Sequence, residues 1–238
     1  MARPPDRLIS GLVGAGVTYY GEYFAFQGDK PVKAVIRTYT KQDFDGLIDV
    51  QRAAFPPPFP QELLWTADQL AHHVDLFPDG ALCVEINGEI AGSLTTLIVQ
   101  YEPGDTHSWE EVTDNGFIRT HNPDGNTLYV VDICVKPAFR KLGLARKMLE
   151  AAYQTVVHLN LDRLLGGGRI PGYHRHAGEL TPEQYLQKVT SGELNDPVLT
   201  FLMRAGRVPV DIMHDYLDDE ESKNCAALME WKNPFQKG

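Results

Sequence analysis

The strongest constraint on the fold is a stretch in which an apolar run leads through a basic turn into an amphipathic run (LYVVDICVKPAFRKLGLARKMLEAAYQTVV, 128–157). The β-branched residues of the first run predict a buried strand that ends near Val135, because Pro137 has no N–H to continue a ladder. Apolar residues at helical spacing from Leu144 onward predict a helix. A strand that leads through a short turn into a helix is typical of α/β proteins.

The basic turn between these elements is a candidate anion site. The first N–H groups of a helix have no partner within the helix, and the helix dipole favours negative charge there. Gly143 leaves room for a close approach, and Ala145 keeps the next turn small. The basic residues nearby are Arg140, Lys141, Arg146 and Lys147. The turn therefore predicts a pyrophosphate site, and a glycine that only permits a tight turn is the alternative.

Composition excludes several classes of protein. The 238 residues carry a formal net charge of −10, which argues against a general nucleic-acid binder. The three cysteines are widely spaced and odd in number, so we expect a reducing, cytoplasmic setting. The sequence contains no apolar run of the roughly 18 residues that a membrane span needs. Arg3 and Arg7 precede a short glycine-containing run that makes a poor signal peptide, so we expect neither secretion nor a membrane partner.

The order of predicted elements indicates one mixed α/β domain at residues 31–238, after an aromatic extension at 1–30. The extension either pairs as a strand or hairpin or forms an arm that could reach a neighbour, which leaves a homodimer open. A strand is followed by helices at 40–55 and 61–77, and then by a hairpin with Asn87-Gly88 at its turn. A polar loop, the strand and basic turn described above, and the helix from Leu144 follow. The chain then continues with a strand that Gly166–Gly168 break and with an inserted segment at 171–193. A further helix and two strands complete the chain.

Other patterns carry weaker signals. Gly14-Ala15-Gly16 starts like a dinucleotide fingerprint but lacks its last glycine. The acidic run at 218–221 is typical of a solvated turn, with a flank for a cationic substrate as the alternative. We predict no metal site, because His72, His73, His174 and His176 are interpreted as surface histidines that are close in sequence by chance.

The basic turn also carries a family resemblance. "RKLGLA" (140–145) fits the Arg/Gln-x-x-Gly-x-Gly/Ala signature of the GCN5-related N-acetyltransferase (GNAT) superfamily. The order of elements from Val32 to Pro234 is similar to that fold. The segments "THNPDGNTLYVVDICV", "GGGRIPGYHRHAGELTPEQY" and "YLDDEESKNCAALMEWKNP" resemble an acetyltransferase-like domain found fused to carbon–nitrogen hydrolases. We expect a stand-alone relative, because the chain leaves no room for the hydrolase.

The resemblance implies an α/β fold, with a mixed sheet of about seven strands, helices on both faces and a splayed central parallel pair. Acetyl-CoA would serve as co-substrate, and a primary amine of a small molecule, peptide or protein would attack it directly. The backbone of the signature would hold the pyrophosphate, through Arg140, Lys141, Leu142, Gly143, Leu144 and Ala145. The pantetheine arm would pair with the strand edge at Ile133, Cys134 and Val135.

Proton transfer needs separate groups. Asp132 is the best-placed candidate for the catalytic base. The alternative is that Asp132 has only a structural role, as a strand aspartate that is solvated or hydrogen-bonded within the core. Many family members carry a tyrosine four residues before the glycine that ends the last helix, but Leu202 takes that position here. Tyr173 and His174 are therefore candidates for the catalytic acid. Leu202 also motivates a second hypothesis, in which the domain binds acyl-CoA without turnover or partners a separate carbon–nitrogen hydrolase.

Overall fold

The computed structural model describes residues 17–236, so Gly14–Gly16 and the signal-like run after Arg3 lie outside it. Its helices are α1 (Phe44–Ala54), α2 (Ala67–Leu76), α3 (Trp109–Thr113), α4 (Leu144–His158), α5 (Pro182–Thr190) and α6 (Pro197–Arg204). Its strands are β1 (Tyr19–Gln27), β2 (Lys30–Thr38), β3 (Ala81–Ile86), β4 (Glu89–Val99), β5 (Thr127–Val135), β6 (Arg163–Arg169), β7 (Val208–Met213) and β8 (Ala226–Lys232). They form one mixed sheet in the order β1-β2-β3-β4-β5-β6-β8-β7. Within 17–236 no helix combines the length and apolarity that a membrane crossing requires.

The N-terminal extension contributes an eighth strand to the expected seven. β1 pairs antiparallel with β2 along its length, and Gly28 turns the chain with φ +63°. β1 forms one edge of the sheet, where Phe24 and Phe26 are exposed. The described part of the extension therefore belongs to the same sheet as the rest of the chain.

Local turn and cap chemistry sets most of the element boundaries. Asn87 and Gly88 both have positive φ, as the predicted type I′ turn requires. Thr66 and Gln69 form a capping box, so α2 begins at Ala67 rather than at Gln61 as predicted. Thr181 caps α5 and Asp196 caps α6, both as predicted.

Helices cover both faces of the sheet. On β2, Ile36 lies with Ala151 of α4, whereas the next residue, Arg37, forms an ion pair with Asp43 at the start of α1. Because successive strand residues point to opposite faces, α4 and α1 lie on opposite sides. The predicted α/β architecture with a mixed sheet is confirmed.

The central parallel pair separates after a short contact. β5 and β6 pair only at Thr127–Tyr129 with Arg163–Leu165. β6 then continues alongside β8 as far as Arg169, so the glycines at 166–168 do not break the strand, and that prediction is wrong. They mark instead the point where pairing with β5 stops. A gap therefore opens between β5 and β6 toward their C-terminal ends.

Candidate active site

The gap between β5 and β6 holds a cavity of about 530 Å³. Its walls are mostly apolar, with aromatic rings from the segment after α1 and from α3: Phe55, Phe59, Trp65 and Trp109. The polar side chains that line it are few: Gln51, Asp132, Arg140, Arg169, Arg207 and Tyr216. An apolar cleft with a few convergent polar groups is the usual form of a small-molecule site.

Three consecutive glycines keep the β6 wall of the cavity thin. A Cβ at Gly167 would lie 2.4 Å from the Tyr216 ring, and one at Gly168 would lie 2.8 Å from Leu202. A Cβ at Gly166 would contact Val130 at 3.0 Å. Glycine is therefore required here for close approach rather than for backbone conformation.

The basic turn lies at the wide end of the gap. Gly143 has φ +78° and precedes α4, while its missing Cβ faces open space. Among residues 17–236, no carbonyl or side chain accepts a hydrogen bond from the backbone amides of residues 141–146. These amides thus offer a run of free donors at a helix N-terminus. Of the predicted signature residues, Arg140 and Ala145 line the cavity, whereas Lys141, Leu142, Gly143 and Leu144 lie in the adjoining turn.

The cavity also borders the free edge of β5. Ile133, Cys134 and Val135 line it, as the predicted site for an extended ligand requires. On β4, the consecutive residues Thr95 and Thr96 pair with Asp132 and Val130 of β5, so Val131 between them has no partner on β4. This bulge bends the strand beside the cavity.

Asp132 projects into the cavity from β5. Gln51 of α1 donates a hydrogen bond from Nε2 to Asp132 Oδ2 at 2.7 Å. Burial raises the pKa of Asp132 to about 6, although hydrogen bonds from Cys134 and Gln51 favour the ionised form. Asp132 is therefore mostly ionised at pH 7 and close to the range in which it can exchange a proton.

A tyrosine pair, which sequence reasoning missed, closes the narrow end of the gap. The hydroxyls of Tyr216 and Tyr129 lie 2.9 Å apart, and Nε2 of His107 lies 2.8 Å from the Tyr129 hydroxyl. Burial raises the pKa of Tyr216 to about 12 and lowers the pKa of His107. The chain of contacts leads from the cavity to a half-buried histidine. No local pattern could have found it, because its members come from three distant segments.

The acidic run after β7 is only partly the solvated turn that was predicted. Asp219 is buried and accepts hydrogen bonds from Nε and Nη2 of Arg169, both at 2.7 Å. Glu221 adds a contact to the same Nη2 at 3.0 Å. Arg169 lines the cavity, so these carboxylates offset its charge within the site.

The other predicted residues lie apart from the cavity. Tyr173 is buried and donates its hydroxyl to the carbonyl oxygen of Leu180 at 3.0 Å. His174 is exposed, with Nδ1 2.7 Å from the carbonyl oxygen of Pro171. Neither lines the cavity, whereas Leu202 does.

The histidines do not form a metal cluster in the described part of the chain, where no group of three or more His, Cys, Asp or Glu side chains converges. His73 is fully buried between the Tyr39 hydroxyl and the carbonyl oxygen of Gly116, at 2.9 and 2.6 Å. The prediction that it is a surface residue is wrong.

Comparison with known proteins places the chain in a family. A sequence model of the acetyltransferase (GNAT) family matches residues 44–168. The uncharacterized N-acetyltransferase YkwB of Bacillus subtilis (strain 168) is 52% identical over 217 residues, which cover 91% of this chain and 96% of YkwB. The chain belongs to the acetyltransferase (GNAT) family, and the resemblance found in its sequence is confirmed.

Two further proteins extend the comparison. The protein named Probable hydrolase YhcX of Bacillus subtilis (strain 168) is 39% identical over 203 residues, which cover 84% of this chain but 39% of YhcX. The solved structure of the GphF GNAT-like decarboxylase in complex with isobutyryl-CoA superposes with a TM-score of 0.68 at 22% identity, covering 83% of this chain and 98% of that one. At this level of identity the superposition supports the fold alone.

Proposed function

We propose that this protein is an N-acetyltransferase that moves an acetyl group from acetyl-CoA to a primary amine by direct attack. The observation that carries the proposal is the continuity of three features. The free amides of residues 141–146 open onto the splayed edge of β5, and that edge leads to Asp132 within one cavity. This arrangement suits a long ligand with an anionic head and a reactive far end.

Coenzyme A fits the wide end of the gap. Its pyrophosphate would accept hydrogen bonds from the free amides of Lys141 to Ala145, with added positive charge from the side chains of the turn. The amide of Arg140, which was also expected to bind it, instead donates to the carbonyl oxygen of Pro137 at 3.2 Å. Its pantetheine amides would pair with β5 at Ile133 to Val135 as a missing strand would. The thioester would then lie beside the bulge at Val131 and next to Asp132.

The chemistry needs one base and one acid. In the proposal, Asp132 takes a proton from the ammonium form of the acceptor, and the neutral amine attacks the thioester carbonyl carbon. The C–N bond forms, the C–S bond breaks, the nitrogen releases its second proton to solvent, and the leaving thiolate takes a proton from an acid. Tyr216 is the one tyrosine among residues 17–236 that lines the cavity, so we assign this proton to its hydroxyl. Tyr129 and His107 would return the proton from solvent.

The acceptor would enter over the aromatic wall. Phe55, Phe59 and Trp65 offer apolar surface, while Asp132 offers the one carboxylate that lines the cavity in the described residues. This combination favours a primary amine with an apolar body over a polyanion. A small molecule and the N-terminus of a peptide both meet this description.

An amine screen with thiol detection tests the proposed reaction. We expect CoA release with at least one amine and a fall of about 10²-fold or more in kcat for Tyr216→Phe, which is the range for a lost acid–base group. Tyr173→Phe is the matched control, because it removes a buried hydroxyl outside the cavity. Equal activity of both variants would remove Tyr216 from the mechanism, and strong loss only in Tyr173→Phe would restore the acid role first predicted for Tyr173.

A second candidate function is binding of acyl-CoA without turnover, as a sensor or as the partner of a separate carbon–nitrogen hydrolase. Leu202 in the cavity wall favours it, as does the similarity to part of YhcX. Acyl-CoA binding without CoA release across a broad set of amines would support this candidate. Robust release with any amine would eliminate it.

A further inference from the structure

Arg207 is a buried cation to which the described part of the chain offers no carboxylate partner. Its side chain is 2% exposed, and it forms no ion pair with any residue of the described chain. Nη2 donates to the carbonyl oxygens of Gly166, at 3.3 Å, and Met229. Within residues 17–236, Nε has no hydrogen-bond acceptor. A buried charge is normally paired, so an arginine left with unused donors is an exception that needs a reason.

The guanidinium remains charged. Burial lowers the pKa of Arg207 to about 10, which leaves it protonated at neutral pH. The ionisable groups that act on it are the hydroxyls of Tyr129, Tyr153 and Tyr216, and none of these is anionic at pH 7. An anion brought next to Arg207 would therefore gain a strong, weakly screened interaction.

Arg207 lies at the narrow end of the cavity. It lines the cavity and binds Gly166, the first residue of β6 after the last pair with β5. Asp132 lies on the other strand, toward the wide end. Along the gap, the order from wide end to narrow end is therefore the free amides, the β5 edge, Asp132 and then Arg207.

This order indicates what reaches the arginine. If CoA lies along β5 as proposed above, its thioester lies beside Asp132 and its acyl group points to the narrow end. We propose that Arg207 binds a carboxylate at the far end of the acyl group, so that the preferred donor is the CoA thioester of a short dicarboxylic acid. The inference rests on the proposed CoA site. A carboxylate on the acceptor is less suited, because the acceptor approaches from the aromatic wall on the other side of Asp132.

Calorimetry without any acceptor tests this inference. CoA, acetyl-CoA, malonyl-CoA and succinyl-CoA are titrated into the wild-type protein, Arg207→Met and Arg207→Lys. We expect malonyl-CoA or succinyl-CoA to bind the wild type at least about tenfold more tightly than acetyl-CoA. Arg207→Met should lose this preference while it retains its affinity for acetyl-CoA, and Arg207→Lys should keep part of the preference. Arg204→Met, which removes an exposed arginine at the end of α6, should behave as wild type.

Each other outcome has a definite meaning. Equal wild-type affinity for acetyl-CoA and both dicarboxylic donors overturns the inference and leaves the proposed CoA site intact. A preference that survives in Arg207→Met also overturns it. Binding of none of the four compounds refutes the CoA site itself. A final titration adds glycine and β-alanine to protein saturated with acetyl-CoA, and Arg207-dependent binding there would place the carboxylate on the acceptor instead.

Discussion

Replacement of Asp132 by asparagine should stabilise the protein at alkaline pH. Burial raises the pKa of Asp132 from the ordinary value of 3.8 to about 6. The carboxylate of Asp132 therefore takes up a proton more readily in the folded state than in the unfolded state. At about 1.4 kcal/mol per pH unit, the ionised side chain costs about 3 kcal/mol. The cost is absent below pH 4 or so, develops as the pH rises, and is complete above about pH 7. Asparagine keeps an oxygen for Gln51 and carries no charge, so it avoids this cost.

The assay is urea unfolding of the wild type and Asp132→Asn at pH 5 and pH 8. We expect the stability of the variant relative to wild type to increase by about 1.4 kcal/mol between these values, since about half of the cost develops in this range. Burial also lowers the pKa of His73 to about 4, but His73 is present in both proteins and cancels in the difference. Asp49→Asn, which changes an exposed carboxylate on α1, is the control. A difference that does not change with pH would refute the assigned burial of Asp132.

Two further predictions concern the walls of the cavity. Gly167→Ala places a methyl group 2.4 Å from the Tyr216 ring, so it should lower the free energy of unfolding by about 1–3 kcal/mol. Gly178→Ala is the control, because its methyl group would lie in open space and should leave the stability unchanged. Equal stability of the two variants in urea would contradict the crowding at Gly167. Gln51→Leu removes a hydrogen bond that favours the ionised form of Asp132, so it should raise the pKa of that carboxyl. The acid limb of the profile of kcat/KM against pH should therefore move to higher pH. An acid limb at the wild-type pH would argue against Asp132 as the base.

The parts of the fold that the sequence predicts are those set by neighbouring residues. β5 ends at Val135 because Pro137 follows, and the hairpin turn depends on Asn87 and Gly88 alone. The start of α4 at Leu144 follows from the glycine before it. The turn proposed for CoA shares this local character, because its glycine and basic residues are neighbours in the sequence. The role proposed for the strand edge at 133–135 comes instead from the family resemblance and stays a prediction.

The parts that could not be predicted depend on pairing across the chain. The glycines at 166–168 suggest a broken strand, but β8 supports β6 through them and only the contact with β5 ends. Arg207 directly precedes β7 and Tyr216 follows it, and the strand pattern of that segment does not show that both residues reach the gap between β5 and β6. Asp219 was assigned to a solvated run because its partner, Arg169, lies 50 residues away in sequence.

Binding of acetyl-CoA is the most direct test of the central claim, that the turn before α4 is a pyrophosphate site. Calorimetry would compare the wild type with Gly143→Glu, which adds bulk and negative charge at the free amides. Gly192→Glu is the matched control, because Gly192 has nearly the same φ, +81° against +78°, and the same open surroundings. We predict that the wild type and Gly192→Glu bind acetyl-CoA and that Gly143→Glu does not. Undiminished binding by Gly143→Glu, or no binding by the wild type, would contradict the proposed site.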